Sequence, residues 1–194
     1  MNNLKTNNRE QWLINATNLS RKVFKQFGYN VPNNIKFSCS FPANSRVGAK
    51  LKAIGQCIDP SASNEKHFNI LIHPAIEDKL KVLGILVHEL CHATVGIKNG
   101  HNHVFKKCAN TVGLEGQMRS TTTGDLFNNL FKDVLKALPD YPHGAVILNS
   151  KKKQTTRMLK LMCGCGCIVR MSNGAYEKFG APICGTCGEQ MELA

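Results

Sequence analysis

Five consecutive residues, His88-Glu89-Leu90-Cys91-His92, carry the side-chain types of a hydrolytic metal centre. They sit in an apolar run with Leu83, Ile85, Leu86 and Val87, which predicts a helix from about residue 76 to Gly96. Residues four apart share a helix face, so His88 and His92 can offer two imidazoles to one Zn²⁺. Glu89, beside them, can accept a proton from a water that attacks a carbonyl. H-E-x-x-H in this setting is the pattern of zinc-dependent peptide hydrolysis. Such a site needs a third protein ligand. The segment GHNHVF, residues 100–105, offers His101 or His103 just past the helix. The plainer alternative is an amphipathic helix with a satisfied histidine pair. The third histidine weighs against it, and so does the alternating segment 68–72 that reads as a strand ahead of the motif.

A second metal group lies in the tail, which reads CGCGC, sixteen residues, then CGTCG. Cys184-x-x-Cys187-Gly188 is a knuckle turn, with glycine allowing the tight backbone that a thiolate pair needs. Four cysteines complete a Cys₄ zinc ribbon, a small β module that folds around its metal. Cys184 and Cys187 supply one pair. Cys163 and Cys165 are favoured for the other, with Cys167 as an alternative to either. Cys39, Cys57, Cys91 and Cys108 read as small buried hydrophobes. His67, His73 and His143 follow no ligand pattern and read as surface or turn residues.

These groups need a scaffold. Apolar residues at helical spacing predict a first helix over 8–27, capped by Asn7 or Asn8 and stopped at Gly28. Strands are expected over 35–41, 53–58 and 68–72, with a polar loop or hairpin between the first two. His73-Pro74 ends the third strand ahead of the motif helix. A helix over 104–111, a turn at 113–116 and a helix over 126–138 follow. Residues 139–156 read as a linker, with a short strand at 145–148 and the charge run Lys151-Lys152-Lys153. The expected organisation is a metalloprotease domain over 1–138, this linker, and the ribbon over 157–194.

The chain has 194 residues, enough for one domain and a small module. No apolar run approaches the roughly 18 residues that cross a membrane. The N-terminal segment is polar and lacks the core of a secretory signal, so the expected location is the cytoplasm. Cysteine clusters in a reducing compartment point to metal rather than disulfides. The net charge is +12. Residues 1–50 hold eight Lys/Arg against one acid, 51–150 ten against nine, and 151–194 seven against three. Basic ends flanking a near-neutral middle suit a polyanion, above all nucleic acid. Lys151, Lys152, Lys153, Arg157 and Arg170 are the candidate contacts.

The string HELCHA, then GHNHVFKK, then a cysteine tail ending CGEQM, resembles the SprT-like zinc metalloproteases, the SprT/Spartan family. KAIGQCIDPSAS, GLEGQM and YPHGA look closest to the SprT-like proteins of phages and prophages. The likeness runs from about residue 35 to 191. It implies an α+β fold, a zincin-like core of helices on a small sheet, followed by a C-terminal zinc ribbon. It implies His101 as the third ligand, from the family's G-H-G-x-x-F segment, with Asn102 standing where glycine is usual. A C-x-C first knuckle, as in SprT itself, would pair Cys163 with Cys165. It further implies two Zn²⁺ ions, one catalytic and one structural, and an endopeptidase with Glu89 as general base. Its substrates would be DNA-bound or DNA-crosslinked proteins, with single-stranded or structured DNA as partner and no membrane. His103, Arg119 and Tyr141 are candidates to stabilise the oxyanion. A non-catalytic nucleic-acid-binding adaptor is the rival reading, and a peptidase on free peptides is a third.

Overall fold

The computed structural model describes residues 6, 8–43, 53–147 and 158–194. The chain divides into two compact units, Met1–Asn149 and Ser150–Ala194.

The first unit is built on a three-stranded sheet. Helix α1 (Arg9–Gln26) starts where the Asn8 side chain accepts the Gln11 N–H. Of the stripe that its spacing predicts, it buries Trp12, Leu13, Ala16 and Val23 and partly Leu19, while Phe27, expected in the core, is exposed and Phe24 is buried instead. Strands β1 (Ile35–Cys39), β2 (Gly55–Ile58) and β3 (Phe68–Ile72) lie in the order β1-β3-β2. β1 runs parallel to β3 and β2 antiparallel, with Gly55 opposite Ile72 and Cys57 opposite Ile70. β3 is therefore central, and its Ile70 and Ile72 are fully buried. Helix α2 (Lys79–Val95) carries the H-E-x-x-H motif and is buried on most sides. It begins later than the apolar pattern suggests because Asp78 caps it, accepting the Lys81 N–H. Helix α3 (His103–Thr111) is capped by the Asn102 side chain.

Three elements differ from expectation. The turn expected at 113–116 opens a hairpin, β4 (Leu114–Gln117) against β5 (Ser120–Thr123). The single helix expected over 126–138 is two, α4 (Asp125–Leu130) and α5 (Lys132–Ala137). The break falls at Phe131, where the backbone takes φ −101° and ψ 8°; its buried ring stacks on Phe127, one turn earlier, at 4.3 Å. The described part of the strand expected at 145–148, residues 145–147, is not a strand; Val146 donates its N–H to the Pro74 carbonyl.

Residues 139–147, which composition assigned to the linker, are tied to the first unit. Trp12 Nε1 donates to the Pro139 carbonyl at 2.9 Å. The buried Arg9 guanidinium donates to the carbonyls of Pro74, Pro142, His143 and Gly144. Five guanidinium N–H groups suit such a cluster of backbone acceptors. The rest of that linker, 148–156, lies outside the described residues.

The second unit is a small sheet of order β7-β6-β8: β6 (Leu159–Met162), β7 (Ile168–Met171) and β8 (Glu192–Leu193). Helix α6 (Asn173–Phe179), capped by Ser172, follows β7. Its core of fully enclosed residues is Leu161, Cys163, Cys184 and Met191. So little apolar burial does not hold a fold of this size without a cross-link. Among the described residues, no helix is long and apolar enough to cross a membrane.

Candidate metal centres

α2 places His88 and His92 one turn apart on one face. Gly96 ends the helix, and a short 3-10 turn (Ile97–Asn99) follows. Gly100 then takes φ +47°, a conformation glycine adopts at little cost, and the chain doubles back. This return brings His101 over the helix. His101 Nε2 lies 3.2 Å from His92 Nε2 and 3.3 Å from His88 Nε2. Ligand atoms of all three histidines fall within 4.8 Å of one another. His103 instead opens α3 with its side chain exposed, outside this group.

The electrostatics fit a cation. Burial pulls His88 down to about 3 and His92 to about 4, each pushed further by neighbouring imidazoles. His101 is lowered as well, by partial burial and by Arg119. The rings are thus neutral, and each neutral imidazole has one nitrogen lone pair to give. Three Nε2 atoms facing one another satisfy few hydrogen bonds, whereas a metal would accept all three. The donor set of three imidazoles matches a zinc site with one position left open.

Glu89 lies in the same cleft, which has a volume of about 520 Å³ and is also lined by Gly55, Cys57, Arg119 and Thr121. It is 6% exposed. Burial raises its carboxyl to about 8 in the metal-free protein, against the opposing pull of the Cys57 N–H. Strand β2 presses on it closely: a Cβ on Gly55 would lie 2.5 Å from Glu89 Oε1.

Two more expectations meet the structure here. Arg119 lines the cleft from the turn of the β4–β5 hairpin. Tyr141 does not; it is buried edge-on against Trp12 at 5.1 Å, with its hydroxyl toward Cys39 Sγ. The oxyanion candidate Tyr141 is thereby corrected to a core residue, since its packing on α1 holds it away from the cleft. His73, expected at the surface or in a turn, does open a turn, its carbonyl accepting the Ile76 N–H, but not at the surface. It is fully buried, its Nδ1 accepts the Ala75 N–H, and its ring meets Phe41 edge-on. Cys91 and Cys108 are buried as expected, while Cys39 and Cys57 are only half-buried.

In the second unit the thiols of Cys163, Cys165, Cys184 and Cys187 gather within 4.8 Å of one another. Cys163 Sγ is 2.7 Å from Cys165 Sγ and 3.9 Å from Cys187 Sγ, and Cys165 Sγ is 3.6 Å from Cys184 Sγ. The backbone N–H groups of Cys187 and Thr186 draw the Cys184 thiol down to about 6, toward the thiolate that metals bind. Gly188 takes φ +78° at the second knuckle. Cys167 stands outside the group of four, its carbonyl accepting the Cys163 N–H. The cluster is consistent with a zinc ribbon.

Of the candidate DNA contacts, Lys151, Lys152, Lys153 and Arg157 lie outside the described residues. Arg170 is exposed on β7, directly opposite Lys160 of β6, and neither forms an ion pair among the described residues. Sequence reasoning missed Thr121, whose hydroxyl meets His88, and Gly55, whose lack of a side chain makes room for Glu89. A run of β-branched residues, Thr121 to Thr123, was the available signal for the first.

No protein-family model matches this chain, and no curated protein or solved structure matches it. What defines the class is the pair of sites: an α+β protein with a three-histidine candidate metal site beside a buried glutamate, and a four-cysteine cluster.

Proposed function

We propose that the chain is a zinc-dependent endopeptidase of the SprT-like type, with a zincin-like core and a DNA-binding zinc ribbon. One observation carries this reading: three imidazoles from α2 and the following loop converge in a cleft whose wall holds the buried Glu89. His88, His92 and His101 would hold the catalytic Zn²⁺, and Cys163, Cys165, Cys184 and Cys187 the structural one. Zinc bound by the histidines would supply Lewis acidity, acidifying water and polarising the scissile carbonyl. Glu89 takes the proton of the attacking water and returns it to the leaving amine. β2 and the hairpin turn flank the cleft and orient the peptide. Arg119 is positioned to meet negative charge that develops there.

The favoured substrates are proteins bound or crosslinked to DNA. Support comes from the excess of positive charge, +12 over the chain, and from Arg170 and Lys160 on the ribbon sheet, which form no ion pair among the described residues. With DNA as the tether, proximity rather than residue sequence selects the bond that is cut. A salt titration of DNA binding tests this part. Binding that weakens steeply with salt, together with cleavage stimulated by added DNA, is expected. Cleavage indifferent to DNA would reduce the reading to a peptidase acting on free chains.

A further inference from the structure

We infer that strand β5 is the outer support of the histidine site. Thr121 fixes the His88 imidazole, and Gly84 is the notch that lets β5 approach. The inference rests on the reading of His88, His92 and His101 as metal ligands.

Thr121 Oγ1 lies 2.8 Å from His88 Nδ1. When the Nδ1–H donates to this hydroxyl, the tautomer is set and the lone pair of Nε2 faces the other two histidines. Partners of this kind hold metal-binding imidazoles in orientation and raise their basicity. His92, the other helix histidine, has no such support among the described residues: its buried Nδ1 meets no partner there, and its ring is held by stacking on Phe105 at 4.2 Å. The hydrogen bond from the hairpin is therefore the polar anchor of the helix pair.

Thr121 owes its place to a second contact in step with the first. Gly84 stands one helical turn before His88, on the same face of α2. A Cβ there would lie 2.7 Å from Thr123 Cγ2. Thr121 and Thr123 are the inward-facing residues of β5, Ser120 and Thr122 the exposed ones. Two strand residues span about 6.8 Å, and four helical residues rise about 6 Å. The two spacings nearly match, so Thr123 over Gly84 puts Thr121 at His88. Glycine inside a helix is destabilising relative to alanine. Here that cost admits a strand close enough for its hydroxyl to reach the imidazole.

The test is Co²⁺ affinity of the full chain under chelator competition, read in the d–d bands of the imidazole site. Thiolate charge-transfer bands report the Cys₄ cluster separately. Thr121→Val keeps shape and removes the hydroxyl; it should weaken the imidazole site about tenfold or more and leave the thiolate bands unchanged. Thr121→Ser should restore near-native affinity. Gly84→Ala, by pushing β5 away, should weaken the site as Thr121→Val does. Native affinity in Thr121→Val, or equal losses in the Val and Ser variants, would overturn the role of Thr121. Wild-type protein showing thiolate bands alone would overturn the metal reading itself, and this inference with it.

Discussion

Gly55→Ala is a one-methyl change that should disable the cleft while sparing the metal ligands. The added Cβ would stand 2.5 Å from Glu89 Oε1, 2.6 Å from Ile85 Cγ2 and 3.2 Å from Glu89 Cδ. Ordinary contact needs about 3.5 Å or more, so the carboxylate must retreat by roughly 1 Å. It has little room, being 6% exposed and tied to the Cys57 N–H of the same strand. Ile85 is buried in the core and cannot yield either. Overpacking of this kind costs about 1–3 kcal/mol of stability. A displacement of about 1 Å in a group that must meet the reacting atoms costs about 10²-fold in rate. The assay is cleavage of a basic DNA-binding protein, alongside zinc content and urea unfolding. The expected result is two zincs retained, a modest fall in midpoint and a rate lower by about two orders of magnitude. Gly124→Ala is the control. Its Cβ would come within 1.9 Å of Glu115 Oε1, but Glu115 is an exposed side chain free to swing away, so stability should barely change. Native activity and stability in Gly55→Ala would refute the claim that β2 positions Glu89.

Three further outcomes are expected. Arg9→Met should cost about 2–3 kcal/mol, because carbonyls of Pro74, Pro142, His143 and Gly144 lose their common donor; an unchanged urea midpoint would contradict this. Acid should destabilise the metal-free first unit. His88 and His92 sit at about 3 and about 4 when folded, so the unfolded chain binds more protons below about pH 6.5. Their contribution is present above that pH and is lost as pH falls toward 4. It is best measured in Glu89→Gln, since Glu89, raised to about 8, titrates with the opposite sign; equal midpoints at pH 7 and pH 5 would refute it. Finally, a strong chelator under reducing conditions should open the second unit, whose core is four residues with two cysteines among them. Hydrogen exchange should then speed up in β6 and β7 while β3 and α2 stay protected, and continued protection of β6 would show that the ribbon holds without metal.

The parts legible in the sequence were those with strict spacing. The i, i+4 histidines, the cysteine knuckle and the stripe of α1 each follow from one element's own period. His101 was harder, because its place depends on the Gly100 turn rather than on a repeat; the residues alone left His103 equally open. The hairpin was missed because Gly116 and the polar Thr run resemble a loop, while the pairing that makes them strands is nonlocal. Tyr141 and His73 were misplaced for a related reason. Tyr141 reads as an oxyanion candidate and His73 as a surface or turn residue, yet both are buried, through packing on residues distant in sequence such as Trp12 and Phe41. Arg9 gave no signal, since most of its partners are backbone carbonyls, which a sequence does not display, and the others, Cys39 Sγ and the Tyr141 ring, are distant in sequence.

The central claim is that the three-histidine cleft cuts peptide bonds with Glu89 as the proton carrier. Its most direct test compares wild type with Glu89→Gln on a DNA-binding protein, with and without single-stranded DNA, with zinc content measured in both. The account predicts DNA-stimulated cleavage by wild type and none by the variant, each holding two zincs. Wild-type protein that binds two zincs and DNA but cuts nothing would contradict it, and would favour a nucleic-acid-binding module without catalytic activity.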